Sequence, residues 1–242
     1  VIIRTDISEL IEVETALRDS EERYRLFAGD IAHQLRTPLA ILRANLDGMK
    51  RAGDFKSLVG DVDDMARLVG QLLAYAQLDS LNIAPSDQAD LCEICTNVAA
   101  YIAPLAIQEG RSIEVLGAES PVFINGAVDA LKQAMRNLVE NAIKYSARGS
   151  TITLEVFPDC SVRVIDHGKG VQKDHREGIF TRFSKIDRRG GGAGLGLSIV
   201  QRIIDAHGGT IDLSDTPGGG ATFTLQFLRG AEEVSQPRSA AE

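Results

Sequence analysis

The residue types best suited to holding a cation beside a phosphate group lie close together at Asn137, Asn141 and Lys144, with Tyr145 next to them. A spacing of four residues places both asparagine side chains on one face of a helix, and Lys144 follows three positions later. An asparagine oxygen is a neutral ligand for a hard cation, and a lysine ammonium is a point charge for phosphate. An asparagine pair alone is more often a plain surface feature, so this motif needs support from others.

Two glycine-containing segments further along the chain supply that support. At the end of a predicted strand, Asp166 is followed by Gly168 and Gly170, which allow a ligand to approach the backbone closely. The Asp166 carboxylate, which we expect to be buried, can accept a hydrogen bond from an amino group. The glycine-rich run 190–197 then opens an apolar helix, where backbone amides and the helix dipole can bind an anion. The distance between the two segments fits a mobile lid.

A different chemistry is available at His33, in the first half of the chain. A neutral imidazole nitrogen is a competent nucleophile near pH 7, because the pKa of histidine lies close to that value. A histidine within an amphipathic helix is usually structural, so His33 alone predicts little. The spacings of His167, His175 and His207 match no usual set of metal ligands. We expect His175 to face solvent and His207 to end a helix, where a cationic imidazole would interact favourably with the helix dipole.

The elements that must position His33 are predicted to be helical. Apolar residues recur every seven positions from Ile3 to Ile31, which is typical of a helix that supercoils with a partner; a single amphipathic helix is the alternative. The apolar pattern continues to Met49 with a predicted kink at Pro38, and a second helical pattern follows over 58–76. A hairpin of two such helices has a wide apolar face, which predicts a four-helix bundle formed by two chains.

Helices and strands alternate in the second half, after a predicted linker around 82–90. We expect a helix over 91–108 capped by Asp90, and a longer helix to about Ala147 capped by Asn125. A third helix follows the glycine run and ends at His207. This order of elements predicts an α+β sandwich, followed by a disordered tail. The predicted strands span 112–116, 122–124, 151–157, 161–166, 210–214 and 221–228.

Composition narrows the possible partners. The 242 residues carry a formal charge of -8, which argues against nucleic acid because a phosphate backbone needs a basic surface. Three cysteines suit a reducing compartment, and we expect Cys92 and Cys95 to be buried rather than to bind a metal. No apolar run approaches the roughly 20 residues that span a bilayer. The chain begins at Val1 without a methionine, so we expect a fragment whose full-length form could be membrane-anchored.

In order and spacing, the motifs of the second half resemble the four boxes of the ATP-binding domain of histidine kinases, a fold shared with gyrase-type and chaperone-type ATPases. The resemblance implies that Asn141 holds Mg²⁺ and that Asp166 binds the adenine amino group of ATP. It also implies that Asn137, Lys144 and Tyr145 line the nucleotide. The matching segments are Asn137 to Asn141 for the N box, Asp166 with Gly168 and Gly170 for the first glycine box, Phe180 to Phe183 for the F box, and Gly192, Gly194, Leu195, Gly196 and Leu197 for the second glycine box.

The residues around His33 resemble the H box of the dimerising phosphotransfer domain of the same family. The resemblance implies that His33 is the phosphorylated residue. The family commonly has Glu or Asp in the next position, but this chain has Gln34, which can orient the imidazole and cannot act as a base. We therefore expect autophosphorylation at a reduced rate. Thr37 matches the position that aligns water when the partner regulator is dephosphorylated.

The predicted protein is a cytoplasmic, homodimeric sensor histidine kinase that binds ATP with Mg²⁺ and phosphorylates His33. It would pass the phosphoryl group to an aspartate of a response regulator and also dephosphorylate that regulator. An upstream sensor domain is an expected partner, whereas nucleic acid and membrane contact are not expected within these residues. The predicted domains are the end of a PAS-like sensor with a coiled-coil helix at 1–22, the phosphotransfer hairpin at 23–84, the ATP-binding domain at 87–229 and a disordered tail at 230–242.

Two other functions compete with this prediction. A hydrolytic ATPase of the gyrase or chaperone type would share the nucleotide motifs, but the H box and its helical hairpin argue against it. A degenerate kinase would bind nucleotide and relay a conformational change without transferring phosphate. Only Gln34 supports that alternative.

Overall fold

The structure, a computed structural model, describes residues 83–182, 184 and 194–229, together with positions 11, 14, 39, 62, 65, 66, 69, 70 and 78. The chain divides into two compact units, Val1–Leu72 and Leu73–Glu242. In the first unit the described residues, such as Ile11, Leu39 and Val62, are helical. The predicted heptad stripe, helical hairpin and kink at Pro38 lie largely outside the described residues, as does the tail from 230.

The described part of the second unit is an α+β sandwich, as the order of predicted elements indicated. A five-stranded sheet has the strand order β2-β4-β5-β7-β6, in which β2 and β4 are parallel and the other neighbours are antiparallel. Three helices pack with this sheet, and a separate pair, β1 and β3, is antiparallel. The elements are β1 (Gln88–Asp90), α1 (Leu91–Gln108), β2 (Ser112–Leu116), β3 (Phe123–Asn125), α2 (Val128–Tyr145), β4 (Thr151–Phe157), β5 (Ser161–Ile165), a 3-10 turn (Lys173–His175), α3 (Gly196–Ala206), β6 (Thr210–Asp215) and β7 (Ala221–Gln226).

Alternation of apolar residues along the strands builds one face of the core. Leu154 of β4 lies opposite Val164 of β5, which in turn lies opposite Phe223 of β7. All three side chains are buried. Because successive side chains of a strand point to opposite faces, the register of these pairs places one apolar row against the helices.

Helix α1 begins where the sequence predicted, because the side chain of Asp90 accepts a hydrogen bond from the backbone amide of Cys92 at 2.9 Å. Among the described residues α1 is long and apolar enough to cross a membrane by length and composition alone, which the sequence analysis did not anticipate. Its buried residues instead pack in the sandwich, in contact with α2 and β2. This packing is typical of a core helix.

The structure corrects the prediction for Asn125. This residue ends β3 and does not cap α2; its side-chain amide donates to the carbonyl oxygens of Ala84 and Asp87, both at 2.8 Å. The N-cap of α2 is Ala127, which makes no side-chain capping hydrogen bond. Asn125 therefore fixes the segment that enters the domain.

Several element boundaries also differ from the prediction. Strand β1 was missed because its three residues lie inside the predicted linker, and it forms by pairing with β3. Strand β3 is shifted by one residue, and β5 and β7 end earlier than predicted at Ile165 and Gln226. These ends depend on tertiary pairing, which local sequence patterns do not contain.

Candidate functional site

The two predicted asparagines meet the start of α3. Asn137 is 3% exposed, and its side-chain Nδ2 donates to the backbone carbonyl of Gly196 at 3.3 Å. Its Oδ1 accepts from Nε2 of Gln133, also at 3.3 Å. A Cβ added at Gly196 would lie 3.8 Å from Nδ2 of Asn141 and 4.0 Å from Asn137. The structure thus brings both asparagines of α2 to the N-terminus of α3.

The start of α3 is suited to an anion. Gly194 has a φ of 71°, a left-handed conformation that favours glycine, and Leu195 is buried at the N-cap position. No side chain caps this helix end; the hydroxyl of Ser198 donates instead to the carbonyl of Leu195 at 2.9 Å. The first backbone amides of a helix lack partners within the helix, so they are available to phosphate oxygens. Leu197, in the first turn, is half-buried.

Asp166 is a buried carboxylate held by the backbone. It is 5% exposed, and its Oδ1 accepts from the amide of Gly168 at 2.8 Å. Burial raises the pKa of Asp166, although the hydrogen bonds from the backbone act in the opposite direction. Gly168 pairs with Ser146 in an isolated β-bridge, and a Cβ at Gly168 would lie 2.3 Å from the carbonyl oxygen of Tyr145. Only glycine allows this approach, which places Asp166 near the end of α2.

A glycine turn that the sequence analysis missed supports this loop. The amide of Asp166 donates to the carbonyl of Ala221 at 2.9 Å. A Cβ at Gly220 would lie 1.9 Å from the Asp166 carbonyl oxygen, and one at Gly170 would lie 3.0 Å from the Gly220 carbonyl oxygen. The signal was visible in the sequence as the run of three glycines ending at Gly220, directly before β7.

Two further predicted residues lie at the C-terminal end of α2. Lys144 and Tyr145 are both exposed, and the ammonium nitrogen of Lys144 lies 5.1 Å from the centroid of the Tyr145 ring. This distance is within the range of a cation–π interaction. The end of α2 therefore presents a positive charge and an aromatic ring next to the Asp166 loop.

The segment after Gly170 is anchored by Arg176, another residue that the sequence analysis missed. Nε of Arg176 donates to the carbonyl of Val171 at 3.1 Å, and its guanidinium also forms an ion pair with Asp215 at the end of β6. The hydrogen bond from Arg176 lowers the pKa of Asp215. Phe180 packs edge-on against Phe223, with ring centroids 6.4 Å apart. No sequence motif predicted the contacts of Arg176 with Val171 and Asp215.

Five predicted site residues lie outside the described residues: His33, Gln34, Thr37, Phe183 and Gly192. The part of the expected lid at 185–193 lies outside the described residues as well. Of the other predicted site residues, the structure brings together the N box, the first glycine box and the last residues of the second glycine box.

The donor set fits an adenine nucleotide with Mg²⁺. Asp166 offers a buried acceptor for an amino group, Gly168 allows close approach, and the start of α3 offers amides to phosphates. Among the described residues no three His, Cys, Asp or Glu side chains lie together as a metal-ligand group. Mg²⁺ commonly takes one or two protein oxygens and completes its shell with phosphate and water, so one amide oxygen of Asn141 would meet what this ion requires of the protein.

The structure also describes the histidines and cysteines that the sequence placed outside the nucleotide motifs. His175 is exposed and Cys92 and Cys95 are buried, as predicted. Burial raises the pKa of Cys95 to about 12. His207 follows the last residue of α3, as predicted. Its Nε2 accepts from the amide of Ala127 at 3.0 Å, so the ring is neutral and does not supply the positive charge that would favour the helix dipole.

Two family models match the chain. Residues 23–81 match the His Kinase A (phospho-acceptor) domain, and residues 126–231 match the histidine kinase-, DNA gyrase B- and HSP90-like ATPase. The second match contains Asn137, Asn141, Asp166 and Gly196 of the site, and the first contains His33. The phospho-acceptor match thus precedes the ATPase match along the chain, in the order that the sequence motifs predicted.

Curated relatives are similar over nearly the whole chain. Sensor protein BasS of Salmonella typhimurium is 33% identical over 236 residues, which are 95% of this chain and 66% of the relative. Sensor protein kinase PmrB of Pseudomonas aeruginosa is 33% identical over 239 residues, which are 93% of this chain and 50% of the relative. The chain thus spans half to two thirds of the length of these two relatives.

Solved structures show the same likeness. Histidine kinase AdeS of Acinetobacter baumannii has a TM-score of 0.64 and 26% identity, covering 83% of this chain and 98% of AdeS. Full-length ShkA, in a crystal structure with AMPPNP, has a TM-score of 0.58 and 27% identity, covering 82% of this chain and 44% of ShkA.

Proposed function

Because the chain belongs to the histidine kinases and carries their phospho-acceptor and ATPase regions, we propose that it transfers the γ-phosphoryl group of Mg-ATP to His33 and then to an aspartate of a response regulator. The observation that supports this best is the meeting of Asn137, Asn141 and the start of α3 at Gly196. ShkA, a structural relative, was crystallised with the nucleotide AMPPNP.

The described residues of the candidate site bind different parts of Mg-ATP in this proposal. Asp166 accepts from the adenine amino group, and its burial makes that single interaction selective because an unpaired buried carboxylate is costly. The amides at the start of α3 bind the phosphates, and Asn141 holds Mg²⁺, which neutralises charge on the leaving diphosphate. Lys144 and Tyr145 border the nucleotide at the open end of α2.

The transfer itself is an in-line displacement. A nitrogen of the neutral His33 imidazole forms a bond to the γ-phosphorus while the bond from phosphorus to the ADP oxygen breaks. The other ring proton must leave to restore a neutral ring. Gln34 can orient the imidazole by hydrogen bonding but cannot take that proton, so water takes it and the reaction is slower than with a carboxylate.

The wider organisation is also part of the proposal. Two chains pair through the hairpin at 23–84, the ATP-binding domain spans 87–229, and the residues at 1–22 connect to a sensor domain with a coiled-coil helix. Thr37 aligns water for dephosphorylation of the response regulator, which makes the enzyme bifunctional. The reactions take place in the cytoplasm.

The competing functions differ in the fate of the labelled phosphate. With γ-labelled ATP and Mg²⁺, the proposed kinase gives labelled protein, and the label passes to an added receiver domain. A hydrolytic ATPase gives free phosphate without labelled protein. A degenerate kinase, which Gln34 keeps as the second candidate, binds ATP in calorimetry and gives neither product. Either of the last two outcomes contradicts the proposal.

A further inference from the structure

His207 makes two hydrogen bonds that together determine its protonation. Its Nε2 accepts from the backbone amide of Ala127 at 3.0 Å, and its Nδ1 lies 2.6 Å from the carbonyl oxygen of Ile203. An amide N–H can only donate and a carbonyl oxygen can only accept. The ring is therefore neutral, with its proton on Nδ1 and a lone pair on Nε2 directed at Ala127.

The half-buried ring is also closely packed on one side. A Cβ added at Gly126 would lie 2.8 Å from Cδ2 of His207 and 2.9 Å from a methyl carbon of Leu131. Phe227 packs edge-on against the imidazole, with ring centroids 6.4 Å apart. Because a glycine is needed for the imidazole to fit, the ring cannot shift easily when its hydrogen bonds change.

The bond to Ala127 connects the two helices of the nucleotide site, and the bond to Ile203 holds the ring on α3. Ile203 lies in the last turn of α3, and Ala127 is the N-cap of α2. Near the N-terminus of α3 the same helices are also joined by the hydrogen bond from Asn137 to Gly196. With a rise of about 1.5 Å per residue, the hydrogen bond between His207 and Ala127 lies about 16 Å along α3 from its phosphate-binding N-terminus. The helix pair is thus held at both ends of α3.

We propose that His207 is a positioning residue of the nucleotide site, and that protonation of its Nε2 releases α2 from α3 and weakens nucleotide binding as the pH falls. A protonated Nε2 would place an N–H against the Ala127 N–H, so one hydrogen bond is replaced by two opposed donors. The inference rests on the proposed function, because it takes the site between α2 and α3 to be the nucleotide site.

The surroundings of His207 favour a neutral ring near pH 7. Burial lowers the pKa of His207, and the hydrogen bond to the Ile203 carbonyl opposes that effect in part. None of the charged residues on the elements around the ring is buried; they are Arg202 and Asp205 on α3, Asp129, Lys132, Arg136, Glu140 and Lys144 on α2, and Arg229 beyond β7. Protonation therefore requires a pH below the usual range for histidine.

Two substitutions separate positioning from simple loss of packing. His207→Gln keeps an oxygen that can accept from Ala127 and cannot be protonated, whereas His207→Phe keeps a ring without an acceptor. Calorimetric titration of Mg-ADP into the full chain gives the dissociation constant at about pH 7.5 and at about pH 4.5, and the lower value lies below the usual range for histidine, where the half-buried ring of His207 takes up a proton. Titration of the nucleotide phosphates is common to all proteins and cancels in the comparison.

We expect His207→Phe to bind Mg-ADP about 2- to 30-fold more weakly than wild type at the higher pH. We expect His207→Gln to bind close to wild type there, and to lose less affinity on acidification than wild type loses. If His207→Gln loses as much affinity as wild type, or if His207→Phe binds like wild type, the inference is wrong. Should His207→Phe fail to fold, the comparison of wild type with His207→Gln still decides the question.

A measurement without ligand separates this inference from the proposed function. Hydrogen exchange of the Ala127 amide reports its bond to His207 directly. Its protection factor should fall on acidification in wild type and stay constant in His207→Gln. Absent nucleotide binding with this exchange pattern would contradict the proposed function alone, whereas equal protection in both proteins would overturn the role of His207.

Discussion

The side-chain amide of Asn137 donates to the backbone carbonyl of Gly196 at 3.3 Å, although 59 positions separate the two residues in the chain. Asn137 belongs to the middle of α2 and Gly196 begins α3. Neither an asparagine pair nor a glycine run is specific by itself. The partly buried contact of Asn137 with Gly196 places the proposed metal ligand, Asn141, beside the proposed phosphate-binding amides.

Asp166→Asn should weaken Mg-ATP binding at least about tenfold, because an amide nitrogen replaces an acceptor that the adenine amino group needs. The fold should survive, since the asparagine oxygen can still accept from the Gly168 amide. Calorimetry measures the affinity, and circular dichroism checks the fold. An affinity equal to wild type would show that Asp166 does not contact the base.

The same variant tests the protonation of Asp166 in the absence of nucleotide. Its pKa is raised from 3.8 by burial, so the folded state binds a proton more tightly than the unfolded state. The contribution of Asp166 to the free energy of unfolding is therefore fully present below its pKa in the unfolded state. It is lost as the pH rises through its pKa in the folded state. Asp166→Asn should be more stable than wild type to urea at neutral pH, with the difference shrinking as the pH approaches 3.8. A variant less stable at neutral pH would contradict this assignment.

Gly220→Ala should be strongly destabilising, because its Cβ would lie 1.9 Å from the carbonyl oxygen of Asp166 and its φ is 118°. Gly218→Ala is the matched control, since Gly218 has a φ of 88° and no atom within 4 Å of an added Cβ. We expect the control to cost about 1–2 kcal/mol for its backbone conformation alone. Gly220→Ala should cost about 1–3 kcal/mol more. Equal urea midpoints for the two variants would show that the turn at Gly220 accommodates the added Cβ at no cost in stability.

The sequence predicted the elements whose signals are local. The bounds of α1 and β4 were predicted correctly, because Asp90 caps the helix and apolar residues alternate along the strand. The role of Asn125 was predicted wrongly, since a residue able to cap a helix can equally hold a distant loop.

Among the residues of the site, too, those with a local sequence signal were predicted and those that depend on distant contacts were not. Asp166 and the asparagines followed from motifs, whereas the Arg176 anchor to Asp215 and the neutral state of His207 did not. Both of the missed features depend on partners far away in the chain. Local spacing carries no information about such contacts, so only the folded arrangement reveals them.

Gln34→Glu should raise the rate of autophosphorylation, by up to about 100-fold if the carboxylate acts as a general base. The two side chains have the same shape, so the comparison isolates the charge and the ability to accept a proton. Initial rates of label incorporation at saturating ATP measure the effect. A rate that stays the same or falls would mean that Gln34 does not limit the reaction.

Thr37→Ala should reduce dephosphorylation of the response regulator while leaving autophosphorylation close to wild type. The threonine hydroxyl can align a water molecule, and alanine lacks that group. The decay of a phosphorylated receiver domain in the presence of the chain and ADP gives the rate. Unchanged decay with Thr37→Ala, alongside intact labelling of His33, would remove Thr37 from the phosphatase reaction.

The central claim is that His33 receives the γ-phosphoryl group of ATP. The most direct measurement incubates the chain and its His33→Gln variant with γ-labelled ATP and Mg²⁺ and then tests the stability of the label in acid and alkali. The account predicts label on wild type only, lost in acid and retained in alkali, as for a phosphorus–nitrogen bond. Label of equal amount on His33→Gln, or none on wild type that binds ATP, would contradict it.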